Sequence, residues 1–201
     1  MLSKTKAKNI STAIAHPFAI LFIKLKISAD VITFIGTLGV CLVSIIYFSS
    51  GQFLIGSLLF TFFVGFDALD GTMARMLNKK SKWGAFFDSV MDRIADGVVL
   101  ASISFYFLSQ QQNILFLVSL FALISSEIVS YTKARAEGLG LNCDTGIAER
   151  PERVLIIIFG TFLTGIGISG AIQWSIWLLA IVSLITVIQR MNFVYQQVNK
   201  D

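Results

Sequence analysis

Four aspartates are spaced as two pairs. Asp67 and Asp70 lie three residues apart, and Asp88 and Asp92 lie four apart, so within a helix each pair shares one face. Carboxylates gathered without histidine or thiolate form an all-oxygen ligand set. Such a set suits a hard divalent cation, Mg²⁺ or Mn²⁺, which keeps water or phosphate oxygens as its remaining ligands. The chemistry indicated is phosphoryl transfer. Small residues flank the acids: Gly71 follows Asp70, Ala74 is one turn on from Asp70, and Gly84 is one turn before Asp88. Their size leaves room for a bulky group beside the carboxylates, and Arg75 is placed to hold a phosphate. Any one of these acids could merely end or begin an apolar segment. The register of all eight residues together is what singles the region out.

The elements that must position them follow from composition. The chain has 201 residues, 55% hydrophobic and only 14% charged, with a mean hydropathy of +0.78 and a net charge of +4. Soluble domains carry roughly 25% charged residues, so a water-soluble enzyme and a disordered chain are both excluded. Cys41 and Cys143 have no metal-ligand spacing around them, and His16 is the single histidine. Neither a disulfide, a zinc site nor histidine-based catalysis is expected.

Val31 to Phe66, Gly97 to Ser126 and Val154 to Gln189 contain no charged residue. Each is too long for one span of roughly 20 residues, and each has a polar or glycine-rich break near its middle: Ser49 to Gln52, Ser109 to Asn113, and Gly165 to Gly170. Three hairpins, and hence six transmembrane helices, are expected at 31–48, 53–75, 83–108, 113–138, 151–168 and 172–195. The hairpin tips carry none of the 16 Lys and Arg residues. The positive-inside rule therefore puts the tips outside, with both termini and the 75–83 and 138–151 loops on the cytoplasmic face of the cell membrane. Residues 1–28, with Lys4, Lys6, Lys8, Lys24 and Lys26 around an apolar run, read as an interfacial amphipathic helix against membrane lipids. The expected fold is an all-α integral membrane protein, a single domain over 1–201 with its six-helix bundle at 31–198.

A mid-membrane aspartate costs roughly 2.5–3.5 kcal/mol on insertion scales. The four aspartates must therefore face one another, water or a cation. The two helices that carry them are joined by a short loop and are expected to be antiparallel neighbours. Asp96 and Glu127 are read as structural, Asp96 as a partner for Arg93 or an interface residue and Glu127 as a packing residue. Lys133, Arg135, Arg150, Arg153 and Arg190 gather at the cytoplasmic ends of the last three spans, where cations would meet a doubly charged phosphate monoester. Topology alone also accounts for cations there. A cation transporter is a rival reading of intramembrane carboxylates. Transporter sites, however, lie near the midplane at repeat interfaces, and here the acids sit toward one face with no inverted repeat.

Asp67-Ala-Leu-Asp70-Gly71-Thr-Met-Ala74-Arg75, then eight residues, then Gly84-Ala-Phe-Phe-Asp88-Ser-Val-Met-Asp92 resembles the complete signature of the CDP-alcohol phosphotransferases. The resemblance implies a six-helix membrane enzyme, usually homodimeric, that displaces CMP from a CDP-activated lipid or alcohol. It implies metal on Asp67, Asp70, Asp88 and Asp92, with Asp92 as general base. It also implies contacts to CDP-diacylglycerol from Gly71, Ala74, Arg75 and Gly84, and from Asp30 and Thr33, although the proline that usually precedes the Asp or Asn is Ala29 here. A second stretch, Ser130-Tyr-Thr-Lys133-Ala-Arg135-Ala-Glu137, with Gly146-Ile-Ala-Glu149-Arg150-Pro151-Glu152-Arg153 and Ile188-Gln189-Arg190, resembles the bacterial phosphatidylinositol phosphate synthases of actinobacterial type. That resemblance implies inositol phosphate as acceptor, its phosphate held by Ser130, Lys133, Arg153 and Arg190. The nearest alternative is glycerol 3-phosphate as acceptor, giving phosphatidylglycerol phosphate. No nucleic-acid partner is expected.

Overall fold

The computed structural model describes residues 16–76 and 81–199, and for Ala68, Asp70, Ala74 and Arg75 it describes the backbone alone. Among the described residues the chain is helical and has no strand. Its helices are α1 (16–24), α2 (Ala29–Val43), α3 (Phe53–Val64), α4 (Phe66–Met76), α5 (Lys82–Ser109), α6 (Asn113–Glu137), α7 (Arg150–Gly165) and α8 (Ala171–Val198). A π-helical turn, Ser44–Phe48, extends α2. By length and composition, Ala29–Phe48, α6 and α8 can each cross a bilayer, and α3 is a shorter apolar helix.

The expected span 53–75 is two helices, α3 and α4, parted at Gly65. Glycine is the poorest helix former after proline, and here it ends one helix just before the segment that carries Asp67 and Asp70. The first half of the expected interfacial segment 1–28 lies outside the described residues. Its second half contains α1, whose Ala19 is fully buried against Ile32 of α2 and Met73 of α4. Phe18 and Leu21 remain exposed.

The chain divides into two compact units, one within Met1–Val43 and Leu59–Ala95, the other within Ser44–Leu58 and Asp96–Asp201. In the first, α2 packs on α4. A Cβ at Gly36 would lie 2.8 Å from the Cβ of Phe66, and one at Gly39 would overlap the ring of Phe63. These two glycines let α2 come close against those half-buried rings. In the second unit α8 packs against both α6 and α7. The α6–α8 seam contains the hydroxyls of Ser126 and Ser183, 3.3 Å apart and buried.

Burial follows the rule for lipid rather than water. Ile114 of α6 and Trp174, Met191 and Tyr195 of α8 are each more than 60% exposed, while Ser119, Thr161, Ser183 and Thr186 are fully buried. Apolar side chains gain nothing by leaving hydrocarbon, so small and hydroxylated residues take the helix interfaces. Their hydroxyls bond back to their own helix, as Thr161 does to the carbonyl of Ile157 at 2.7 Å and Thr186 to that of Val182 at 2.7 Å.

Gly165, at the end of α7, makes its close approach to backbone rather than to a side chain. A Cβ there would run into the main chain of Leu54, and backbone cannot turn aside as a side chain can. Gly165→Ala is expected to cost about 1–3 kcal/mol through overpacking. The check is a lowered apparent Tm in detergent, with a wild-type Tm as the contrary result.

Candidate functional site

The first unit carries the four aspartates. Asp67 lies in the first turn of α4, where the unpaired N–H groups of a helix start favour a carboxylate. Asp70 follows one turn on, and its side chain lies outside the described set. Ser81 caps α5, its hydroxyl accepting the Gly84 N–H at 2.8 Å, in the usual manner of an N-cap serine. Asp88 and Asp92 follow on α5, both half-buried. Among the described residues no group of three or more metal-ligating side chains is gathered; the proposed fourth ligand, Asp70, stands outside that comparison. The donor chemistry, carboxylate oxygen throughout, fits Mg²⁺ or Mn²⁺.

Two small residues give the acids space. Among the described residues a Cβ at Gly71 would meet nothing within 4 Å. At Gly84 a Cβ would stand 3.0 Å from the Ser81 hydroxyl and 3.5 Å from Oδ1 of Asp30. Asp30, in the first turn of α2, is thereby brought beside Gly84, two residues expected from different segments to touch one ligand. Thr33 is buried and its hydroxyl donates to the carbonyl of Ala29 at 3.1 Å. Of Ala74 and Arg75 the structure gives only their place on α4.

The second unit gathers the cations. Arg153, only 3% exposed, donates through Nη1 to the carbonyl of Ala148 at 3.2 Å and through Nη2 to the hydroxyl of Ser130 at 3.2 Å. The same Nη2 lies 3.5 Å from Oδ2 of Asp96, whose Oδ1 is 3.4 Å from Nε of Arg150. Arg190, also 3% exposed, donates to the carbonyls of Thr145, at 2.9 Å, and Val129. Lys133 donates to Oδ1 of Asp144 at 2.7 Å and has Glu137 at 3.8 Å. All four residues expected to hold the acceptor's phosphate thus converge on one short piece of α6 and on the segment Asp144 to Ala148.

That segment belongs to the loop 138–149, which has no regular secondary structure and is fastened by α8. Gln197 donates to the carbonyl of Asn142 at 2.7 Å, Gln189 accepts the N–H of Ile147 at 3.2 Å, and Thr186 accepts that of Ala148 at 3.1 Å. Gly146 makes the contact possible. Its φ of +124° lies outside the range of L side chains, and a Cβ would stand 2.5 Å from Cγ2 of Thr186. The hydrogen bond from Lys133, and then its charge, hold the Asp144 carboxyl below the usual carboxylate range. Asp144 therefore stays ionised to lower pH than a free aspartate, and the tie is lost as pH falls through that lowered value. Burial pushes the thiol of neighbouring Cys143 up.

The parts played by Asp96, Asp144 and the loop-fastening residues of α8 escaped the sequence reading. Asp96, assigned there a structural role, ion-pairs with the Arg153 expected to bind substrate. Asp144 was not singled out at all. The loop-fastening residues of α8 did leave a signal, since Thr186, Arg190 and Gln197 recur at helical spacing on one face of an otherwise apolar helix.

The family model for CDP-alcohol phosphatidyltransferases matches residues 26–188. The chain is 38% identical over 198 residues to the phosphatidylinositol phosphate synthase of Streptomyces avermitilis, covering 94% of this chain and 81% of the relative. It is 38% identical over 183 residues to the synthase of the same name from Corynebacterium glutamicum, covering 89% and 82%. Among solved structures it is similar to the Mycobacterium tuberculosis phosphatidylinositol phosphate synthase with CDP-DAG bound. That match has a TM-score of 0.87 at 34% identity and covers 91% of this chain and 94% of that one. The same enzyme in complex with manganese and citrate matches with a TM-score of 0.86 at 34% identity, over 90% and 88%.

Proposed function

Since this chain belongs to the CDP-alcohol phosphatidyltransferase family, we propose that it is a phosphatidylinositol phosphate synthase, moving the phosphatidyl group of CDP-diacylglycerol to a hydroxyl of inositol 3-phosphate and releasing CMP. The observation that carries this reading is the convergence of Ser130, Lys133, Arg153 and Arg190 on Asp144 to Ala148. Two arginines held by backbone carbonyls fix positive charge beside Lys133 and Ser130, which favours a phosphate dianion there.

The first unit receives the nucleotide lipid. Asp67, Asp70, Asp88 and Asp92 would hold divalent metal, Mg²⁺ or Mn²⁺. Gly71 and Ala74 leave space for the cytidine, and Asp30, Thr33, Gly84 and Arg75 add contacts. The bound metal supplies neutralisation of the charge that develops on the diphosphate. The acceptor's phosphate rests on Ser130, Lys133, Arg153 and Arg190, and Asp92 takes the proton of the attacking hydroxyl. That oxygen bonds to the phosphorus bearing diacylglycerol, and the bond to the departing CMP oxygen breaks. Six spans in the cell membrane, a homodimer, and termini and chemistry on the cytoplasmic side complete the reading. The charge-free hairpin tips support that orientation.

The test is CMP release by purified protein with CDP-diacylglycerol and Mg²⁺, comparing inositol 3-phosphate, free inositol and glycerol 3-phosphate. Release is expected with inositol 3-phosphate alone and is expected to stop when a chelator is added. Release with glycerol 3-phosphate instead would keep the catalytic aspartates and overturn the acceptor. No release with any acceptor, together with cation flux into liposomes, would replace the enzyme with a transporter.

A further inference from the structure

Of the cations assigned to the acceptor, Lys133 is far the more accessible, its side chain 35% exposed against 4% for Arg153. Its ammonium is already engaged by an anion, Oδ1 of Asp144 at 2.7 Å. That carboxylate is placed by more than Lys133. It precedes Thr145, whose carbonyl Arg190 holds at 2.9 Å, and Arg190 also draws its charge. An exposed aspartate on a fixed loop, hydrogen-bonded to one acceptor cation and next to the anchor of another, stands where an anionic ligand would stand.

We propose that Asp144 is an internal stand-in for the acceptor's phosphate. It holds Lys133 until a phosphate dianion displaces it, and takes Lys133 back when the product, which carries the same phosphate, departs. The inference rests on the reading of Lys133 as a phosphate ligand. A carboxylate at 69% side-chain exposure makes a weak ion pair, so the exchange costs little, while the stand-in keeps the ammonium aimed between turnovers. A phosphate brings more charge and more acceptor oxygens than the carboxylate it replaces.

The rival role for Asp144 is fastening the loop, and the two differ in sign. Removing a competitor tightens acceptor binding; removing a fastener loosens it. The experiment uses full-length wild type, Asp144→Asn and Asp144→Glu with CDP-diacylglycerol and Mg²⁺. It measures KM for inositol 3-phosphate and inhibition by inorganic phosphate. In Asp144→Asn both the KM and the inhibitory phosphate concentration are expected to fall about two- to fivefold. The KM for CDP-diacylglycerol is expected to stay in place, and Asp144→Glu, which restores a competitor, is expected to return toward wild type. A KM that is unchanged or raised in Asp144→Asn overturns the stand-in. If wild type itself releases no CMP with inositol 3-phosphate, the underlying reading has failed instead, so the two failures are told apart in one set of assays.

Discussion

Asp92→Asn is expected to lower CMP release by about 10²–10⁴-fold, the usual contribution of a positioned general base. Asparagine matches aspartate in size, so the half-buried place on α5 is kept and the helix is undisturbed. On the proposed reading, what is lost is the ability to take a proton from the attacking hydroxyl, together with one charged ligand for metal. Asp92 is the last acid of its pair, one turn beyond Asp88. Three carboxylates remain to hold the nucleotide lipid. Binding of labelled CDP-diacylglycerol in the presence of Mg²⁺ should therefore survive while turnover does not. Full activity in the variant would move the base elsewhere, and lost binding with lost activity would leave Asp92 as a metal ligand alone.

Arg153→Ala carries the second large effect. Its guanidinium is engaged on three sides, by the carbonyl of Ala148, the hydroxyl of Ser130 and the carboxylate of Asp96. Truncation takes one of two arginine partners from Asp96, whose side chain is only 12% exposed, while Arg150 stays at 3.4 Å. Breaking a buried pair outright costs about 3–5 kcal/mol, so the remaining partner brings the expected cost below about 3 kcal/mol, and on the proposed reading the acceptor loses a cation as well. The expected result is a lowered apparent Tm with kcat/KM for inositol 3-phosphate reduced about 10²-fold or more. Arg153→Lys restores the charge but not the planar fork, and is expected to recover stability better than acceptor use. A variant that loses stability but keeps its acceptor KM would make Arg153 a structural residue only.

Much of this was legible before any coordinates. The breaks at Ser49 to Gln52, Ser109 to Asn113 and Gly165 to Gly170 are turns, because polar and glycine residues interrupt apolar runs at the spacing a bilayer demands. The break at Gly65 was not legible. It sits among Phe62, Phe63 and Phe66, so hydropathy runs straight across it, and what parts α3 from α4 is backbone geometry. The cations proposed for the acceptor were legible as residues and as a group at one end of the last three helices, but the groups that anchor them were not. Arg190 and Arg153 are gathered by bonds to the carbonyls of Val129, Thr145 and Ala148, and no side-chain pattern records where a carbonyl points. Asp96 was legible as an expensive acid. Its partners Arg150 and Arg153 lie more than fifty residues along the chain, beyond any helical spacing.

The fastening of the loop 138–149 by α8 also fixes an order of events in biogenesis. Chains emerge from the ribosome N-terminus first, so α6 and the loop leave it before Thr186, Gln189, Arg190 and Gln197 exist. A nascent chain halted inside α8 presents an unlatched loop, whatever its earlier helices have done. The four hydrogen bonds that pin the loop form only once α8 has entered the bilayer and laid its polar face against α6. On the proposed reading, recognition of the water-soluble substrate is thereby withheld until translation has passed α8, and a product truncated before it is expected to lack the latch.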